Sequence, residues 1–508
     1  MIRKNIYSWH RNLSLIIAIP VLLWALSGFM HPLMTTIKPK VSTQFLKPAV
    51  IDSAAVKLSL NQVLKQNKIQ VFHNFRLIVV DTNWFYQVQC TANEVPVYLS
   101  ATTGKKWQNG DQLYAQYLSK QFLEGQNKSE EEKQIKINNS TAVETDCCDA
   151  ATNCVLQNEK GAKISGASLI KEFDDEYRFI NRLLPVYKID FERKDGIRIY
   201  VETTSDRFAY AVDDKRALFD TMFALFHNWE FLSFIGKGKY LLMALLLAIA
   251  CITTIMGLYI FFITKTKQPK GNGQLKARRN HRYTAVFASF FTLMFAFSGA
   301  FHALEKLKPD TRYNFYTNEQ INSETPKLDI PKLQTAIGNP VTNISIIRMN
   351  EQLYWQVAVK KGERSTTEYY SLNDYQFLKD GDKLYAQYLA SLFSKNKTNA
   401  MKTSELITTF EGEYGFVNKR LPVWKIEYAI NNNERYYIET KSGKLSVRID
   451  DLDLAEGYSF AILHKHHFMD WGGKLVRDIS TMFWAAAQIA MVLVGLILWR
   501  RRRKVISC

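Results

Sequence analysis

Residues 9–33 read WHRNLSLIIAIPVLLWALSGFMHPL, an apolar run with a histidine near each end. Residues 280–304, NHRYTAVFASFFTLMFAFSGAFHAL, repeat the device. Two more apolar runs lie at 240–263 and 481–499. Each run approaches the ~20 residues that cross a hydrocarbon core of ~30 Å, so four transmembrane helices are expected. The first run follows basic residues, as a cleaved signal does, but its near-copy deep inside the chain argues that both are spans. Mean hydropathy is only −0.18, so the apolar character is concentrated in these runs and the rest is water-facing.

The net charge of +18 raises the question of nucleic acid. Its placement answers differently. Residues 1–12, 264–283 and 500–508 hold 15 Lys and Arg and no acid, and a Lys/Arg excess in short loops beside spans marks the cytoplasmic side. Both termini and the 264–283 loop are therefore expected inside, and the long segments 35–239 and 305–480 outside. No aromatic platform or recognition motif accompanies the basic runs, and no nucleic-acid partner is expected.

The halves read as copies. NGDQLYAQYL (109–118) matches DGDKLYAQYL (380–389), and EYRFINRLLPVYKIDF (176–191) matches EYGFVNKRLPVWKIEY (413–428). RIYVETTSDR (198–207) likewise matches RYYIETKSGK (435–444). The offset falls from 271 to 237 between the first two pairs, which places an insertion in the first half, about 126–160. Segments such as VPVYLS, PVYKIDF and IRIYVET are β-branched, aromatic and bounded by turn signals, so they read as strands. DQLYAQYLSKQFL has helical spacing. The expected architecture is a membrane α+β protein, four transmembrane helices as an internal duplication with two outer α+β domains. An amphipathic stretch precedes the second span of each half, at 216–231 and 455–468.

Histidine at the edge of a span is costly to desolvate and marks function by default. His10 and His31 are 21 positions apart, as are His281 and His302, and a rise of ~1.5 Å per residue puts one of each pair near each membrane face. His227 and His464 also correspond, giving three repeated pairs among nine histidines. Histidine commonly holds haem iron, and a helical bundle offers ligands from facing helices. A two-fold axis along the membrane normal would pair His10 with His281 at the inner face. At the outer face, His31 with His302, His227 with His464, and mixed pairs such as His31 with His227 all remain open. Gly28 and Gly299, three residues before the outer histidines, leave room for a flat macrocycle or a close helix. His73 reads as structural. His467 is a further candidate for iron or substrate contact.

These residues carry a resemblance. His10-Arg11 and His281-Arg282 opening a span, Ser27-Gly28 and Ser298-Gly299 near its outer end, and FALFH (223–227) and FAILH (460–464) resemble the PepSY-associated transmembrane helix family. The resemblance covers nearly the whole chain apart from the 126–160 insertion. It implies PepSY-type periplasmic domains and haem-dependent reduction of ferric siderophores at the bacterial inner membrane. The implied layout is a first span at 1–34, a PepSY-like domain at 35–216, and an amphipathic segment with the second span at 217–263. A basic cytoplasmic loop at 264–283, the third span at 284–304 and a second PepSY-like domain at 305–453 follow. An amphipathic segment with the fourth span at 454–499 and a basic tail at 500–508 complete it.

The expected function is reduction of a ferric chelate by two haems b, ligated among His10, His281, His31, His302, His227 and His464. GNG (271–273) follows a span rather than a strand, and the inner loop is too short for a nicotinamide or flavin fold. Electrons must then come from a cytoplasmic flavoprotein or a quinol in the bilayer. Substrate is expected to dock near His31, His227, His302 and His464, with Lys237, Lys239, Lys306 and Lys308 either attracting anionic chelates or anchoring lipid headgroups. Two other classes stay open, a non-enzymatic module that binds peptides or inhibits a peptidase, and a metal or chelate carrier. Among the outer cysteines, DCCDAATNC (146–154) has no zinc spacing, and a disulfide involving Cys154 or Cys90 is the expected use.

Overall fold

The computed structural model describes residues 2–92, 94–125, 162–265, 267–269, 271–308, 319–362, 364–395 and 400–506. The 126–160 insertion with Cys147, Cys148 and Cys154 lies outside them, as does Cys508. Two compact units emerge. One joins Met1–Lys38, Lys215–Thr311 and Asp451–Cys508, and the other joins Pro39–Asp214 and Arg312–Asp450.

The first unit contains four helices long and apolar enough to cross a membrane, Asn5–Met34, Gly238–Ile263, Gly273–Glu305 and His467–Arg500. Backbone polar groups have no water partner in hydrocarbon, so an apolar run of this length satisfies itself as helix. The first span packs against the second and fourth, and the third packs against the same two. First and third therefore face one another across the bundle. The third helix begins earlier than hydropathy indicates, at Gly273, where the Asn272 side chain accepts from the Gln274 and Leu275 N–H groups. Half of the expected 264–283 loop is thus helix, because hydropathy reads the immersed length and not the capped extension. Arg282 on that extension donates to the carbonyls of Phe261 (3.0 Å) and Thr264 (2.8 Å), fastening the second span to the third.

The amphipathic stretches form helices at Asp214–Phe226 and Asp451–Ser459. The second continues into a π turn, Phe460–His464. Such turns concentrate at functional sites.

The second unit holds two sets of elements in the same order. The first set has an antiparallel three-stranded sheet (Asn74–Val80, Asn83–Gln89, Val97–Ser100), a helix (Gly110–Glu124) and an antiparallel four-stranded sheet (Ile164–Ile170, Val186–Phe191, Arg198–Glu202, Arg207–Val212). The second set has Val341–Met349, Gln352–Lys361 and Arg364–Ser371, the helix Gly381–Phe393, and Met401–Ile407, Val423–Tyr428, Arg435–Glu439 and Lys444–Ile449. The expected strands and helices are therefore present. Both three-stranded sheets contribute to one core around Phe75, Tyr86, Ile344 and Trp355, while each helix covers its own four-stranded sheet.

The glycine opening each LYAQYL helix has a steric reason. A Cβ at Gly110 would lie 2.7 Å from Tyr98 Cβ, and one at Gly381 equally close to Tyr369 Cβ. Those buried tyrosines lie under the helix start and donate to Asp111 (2.7 Å) and Asp382 (2.9 Å). Gln87 and Gln356 then link each tyrosine to the carbonyl of Thr203 or Thr440, so sheet, helix and turn share one satisfied polar chain. Between the sets, Arg420 bridges Glu202 and Glu439, each at 2.8 Å. Lys444 adds to Glu202 (2.8 Å) and Arg207 to Glu439.

Candidate functional site: a histidine cluster in the helical unit

The inner candidates sit on the facing helices. His10 Nδ1 lies 3.1 Å from the Thr253 carbonyl of the second span. A carbonyl only accepts, so Nδ1 carries the proton and the Nε2 lone pair is free for a metal. His281 faces the fourth span near the Met491 carbonyl, but its buried Nδ1 makes no hydrogen bond.

Four residues beyond each of these carbonyls stands a glycine. A Cβ at Gly257 would meet His10 Cε1 at 3.1 Å, and one at Gly495 would meet His281 Cε1 at 3.3 Å. These notches escaped the sequence reading. Its glycines behave differently, since a Cβ at Gly28 meets nothing within 4 Å and one at Gly299 touches Leu247 at 3.2 Å. Gly299 serves close helix packing, and Gly28 borders open space. The signal for Gly257 and Gly495 was their near-repeat spacing within plain apolar runs, visible only once the histidine opposite is known.

At the outer cluster, His227 and His464 meet edge to face, with ring centroids 6.1 Å apart and planes at 84°. An iron bound to two imidazoles at about 2 Å each, with half a ring beyond on either side, needs ring centres roughly 6 Å apart. The pair fits that demand. Ser27 donates its one proton to the Leu23 carbonyl (2.7 Å), so it accepts from His227 Nδ1 (3.0 Å) and again leaves Nε2 free. Trp24 Nε1 holds the His227 carbonyl at 3.1 Å. His464 Nδ1 has no hydrogen-bond partner. Burial above all, then Lys465, pushes His227 down to about 3. Burial and then His227 hold His464 well below its ordinary value. Both shifts favour the neutral ring that a metal ligand needs.

His31 and His302 belong to the same cluster but are engaged by other side chains. Lys465 Nζ lies 3.1 Å from His31 Nε2, and His302 Nδ1 lies 2.5 Å from Glu456. Burial, reinforced by Arg477, lowers the Lys465 amine to about 8. Neither Lys465 nor Glu456 was read from sequence, since a lone charge beside a span carries no pattern. His466 is fully buried and stacks on Phe295 at 5.1 Å, as Trp229 stacks on Trp24 at 4.9 Å. It occupies a packing position. His467 is exposed and held by Asp470 (2.8 Å) and Arg477 (3.4 Å). His73, in the other unit, meets the Glu319 carbonyl at 2.8 Å.

Of the lysines considered for attracting chelates, Lys239 is buried against Glu230 (2.9 Å). Lys237 caps the Leu307 and Lys308 carbonyls, and Lys308 pairs with Glu305 and Asp453. Those charges are largely spent internally. Among the described residues Cys90 has no disulfide partner. Among the described residues no group of three or more His, Cys, Asp or Glu is arranged for a metal ion. The histidines come in pairs instead.

Four apolar helices, joined to a strand-rich unit, define a multi-pass α+β membrane protein. Residues 7–502 match the family described as PepSY-associated TM region, and the chain belongs to it. No curated protein matches the chain.

Proposed function

We propose that this protein is a haem-dependent reductase of the bacterial inner membrane. It passes electrons from a cytoplasmic flavoprotein or a quinol to a periplasmic ferric chelate, such as a ferric siderophore. The observation that carries the reading is the His227–His464 pair, whose 6.1 Å ring spacing matches two imidazoles on one iron. In this reading the halves are an internal duplication with cytoplasmic termini, and the two strand-rich sets are periplasmic PepSY-like domains. His10 and His281 hold the inner haem, and His227 and His464 the outer one. When bound, haem b supplies a one-electron couple.

The chain's own groups orient the ligands. The Thr253 carbonyl and Ser27 fix the Nδ1–H tautomers, and Gly257 and Gly495 keep space beside the inner rings. Lys465, against His31, and Glu456, against His302, place one charge of each sign beside the outer pair. Reduced iron is softer and less charged, which loosens a hard-oxygen chelate.

The test is the spectrum of the purified protein, oxidised and dithionite-reduced. Reducible b-type bands are expected. His227→Ala and His464→Ala should each remove one and the same share, and His10→Ala and His281→Ala the other. Ferric siderophores, but not their gallium analogues, should reoxidise the anaerobically reduced protein. A colourless protein after expression with ample haem overturns the reading, as does failure of every ferric chelate to reoxidise intact haems.

A further inference from the structure

The two strand-rich sets differ at one internal position, and the difference opens a cleft. In the first set the turn TTSDR (203–207) places Asp206 at φ 55°. Its carboxylate accepts from the Tyr114 hydroxyl (2.6 Å) and from both terminal nitrogens of Arg76 (2.6 Å each). The second set has TKSGK (440–444), with Gly443 at φ 64° in the place of Asp206. Tyr385 takes the helix position of Tyr114, and Ser345, paired with Gln356 as Arg76 is with Gln87, takes that of Arg76. Both members of the ion pair are gone, while the tyrosine remains.

What remains is a cleft of about 20 Å³ lined by Tyr385, Gly443, Lys441, Arg348, His73 and Glu319, among others. A cavity of this size admits one or two waters, or a carboxylate head group. The Tyr385 hydroxyl has no hydrogen-bond partner among the described residues, and it lies 3.3 Å from where a Cβ on Gly443 would stand. In the first set the equivalent hydroxyl is occupied by Asp206. The rim carries two cations, Lys441, whose charge also acts on Asp206 and Glu439, and Arg348, which also lies 3.8 Å from Glu351. Its one carboxylate, Glu319, already accepts from Tyr388 (2.8 Å) and lies 4.0 Å from Arg348.

We infer that the cleft between Tyr385 and Gly443 is a carboxylate-binding site, in which an external ligand takes the position that Asp206 fills in the other set. Tyr385 donates to the bound carboxylate, and Arg348 and Lys441 on the rim supply positive charge. The opening accepts the head group alone, so the ligand is a small polycarboxylate or the carboxylate end of a longer molecule. The inference stands apart from the haem reading, because every residue in it lies in the strand-rich unit.

Titration calorimetry on the full-length protein in detergent tests it, with citrate, a tripeptide bearing a free C-terminus, and its C-terminal amide as probes. Saturable binding of citrate, the free-acid peptide or both is expected in the range of about 1–10 mM, with none for the amide. Citrate alone would identify a free polycarboxylate, and the peptide alone a chain terminus. Gly443→Asp installs the tethered carboxylate at a left-handed position that aspartate tolerates, as it does at 206. It should weaken binding at least tenfold while leaving the melting temperature in place. Tyr385→Phe removes only the hydroxyl and should cost about tenfold, so it decides the matter should Gly443→Asp fail to fold. No binding of either carboxylate at about 50 mM, equal binding of the amide, or affinity unchanged in Tyr385→Phe would overturn the inference.

Discussion

Replacing Arg420 by alanine should expose how the two strand-rich sets are held together. Arg420 is 5% exposed and Glu439 1%, and the Glu202 carboxylate is as fully buried. Removing one partner of a buried ion pair typically costs about 3–5 kcal/mol, because the remaining charge is left uncompensated. Here the compensation is only partly lost, since Lys444 still reaches Glu202 and Arg207 still reaches Glu439. The expected loss at pH 7 therefore falls below that range, at about 2–3 kcal/mol. For the strand-rich transition this is a fall in melting temperature of about 5 °C.

The pH dependence has a definite sign. In the intact protein burial raises the Glu202 carboxyl, but Arg420 and Lys444 outweigh it and hold it well below the ordinary range. Glu439 is lowered in the same way by Arg207 and Arg420. That stability is fully present above the unfolded carboxylate range and is lost progressively as pH falls from there through the lowered folded values. Without Arg420 burial prevails, the carboxyls rise, and protonation in mild acid relieves them. Thermal scanning in detergent at pH 7 and pH 5 should show the wild-type–variant gap narrowing at pH 5. A loss under about 1 kcal/mol at pH 7, or a gap that does not narrow, would refute the reasoning.

Gly257→Ala and Gly495→Ala each bring a methyl to 3.1–3.3 Å of the His10 or His281 ring. Each should lower the inner haem share and shift its electron paramagnetic resonance signal, and unchanged spectra in both would sink the notch assignment. Gly110→Ala forces a Cβ to 2.7 Å from Tyr98 and should cost about 1–3 kcal/mol. Gly28→Ala, with nothing within 4 Å, should be neutral or mildly stabilising by melting temperature. A reporter fused after Lys267 should read cytoplasmic and one fused after Lys120 or Lys395 periplasmic; the opposite outcome would reverse the topology.

The four spans, the LYAQYL helices and the strands around PVYKIDF and IRIYVET were legible in the sequence. Each rests on local periodicity or on the fixed thickness of a bilayer, and the doubled motifs gave every element an internal witness. The candidate histidines were legible for the same reason, since a polar ring at the end of an apolar run stands out. Which of them meet was not. His227 approaches His464 across 237 residues of chain, and His10 finds its carbonyl on Thr253. Such encounters depend on helix rotation and packing, which no local pattern encodes. Tertiary structure likewise decided that Gly257 and Gly495 are notches, that Lys239 is spent on Glu230, and that Gly443 leaves a cleft where Asp206 closes one. A glycine in sequence is only a missing side chain. What its absence makes room for depends on the atoms that the fold brings opposite.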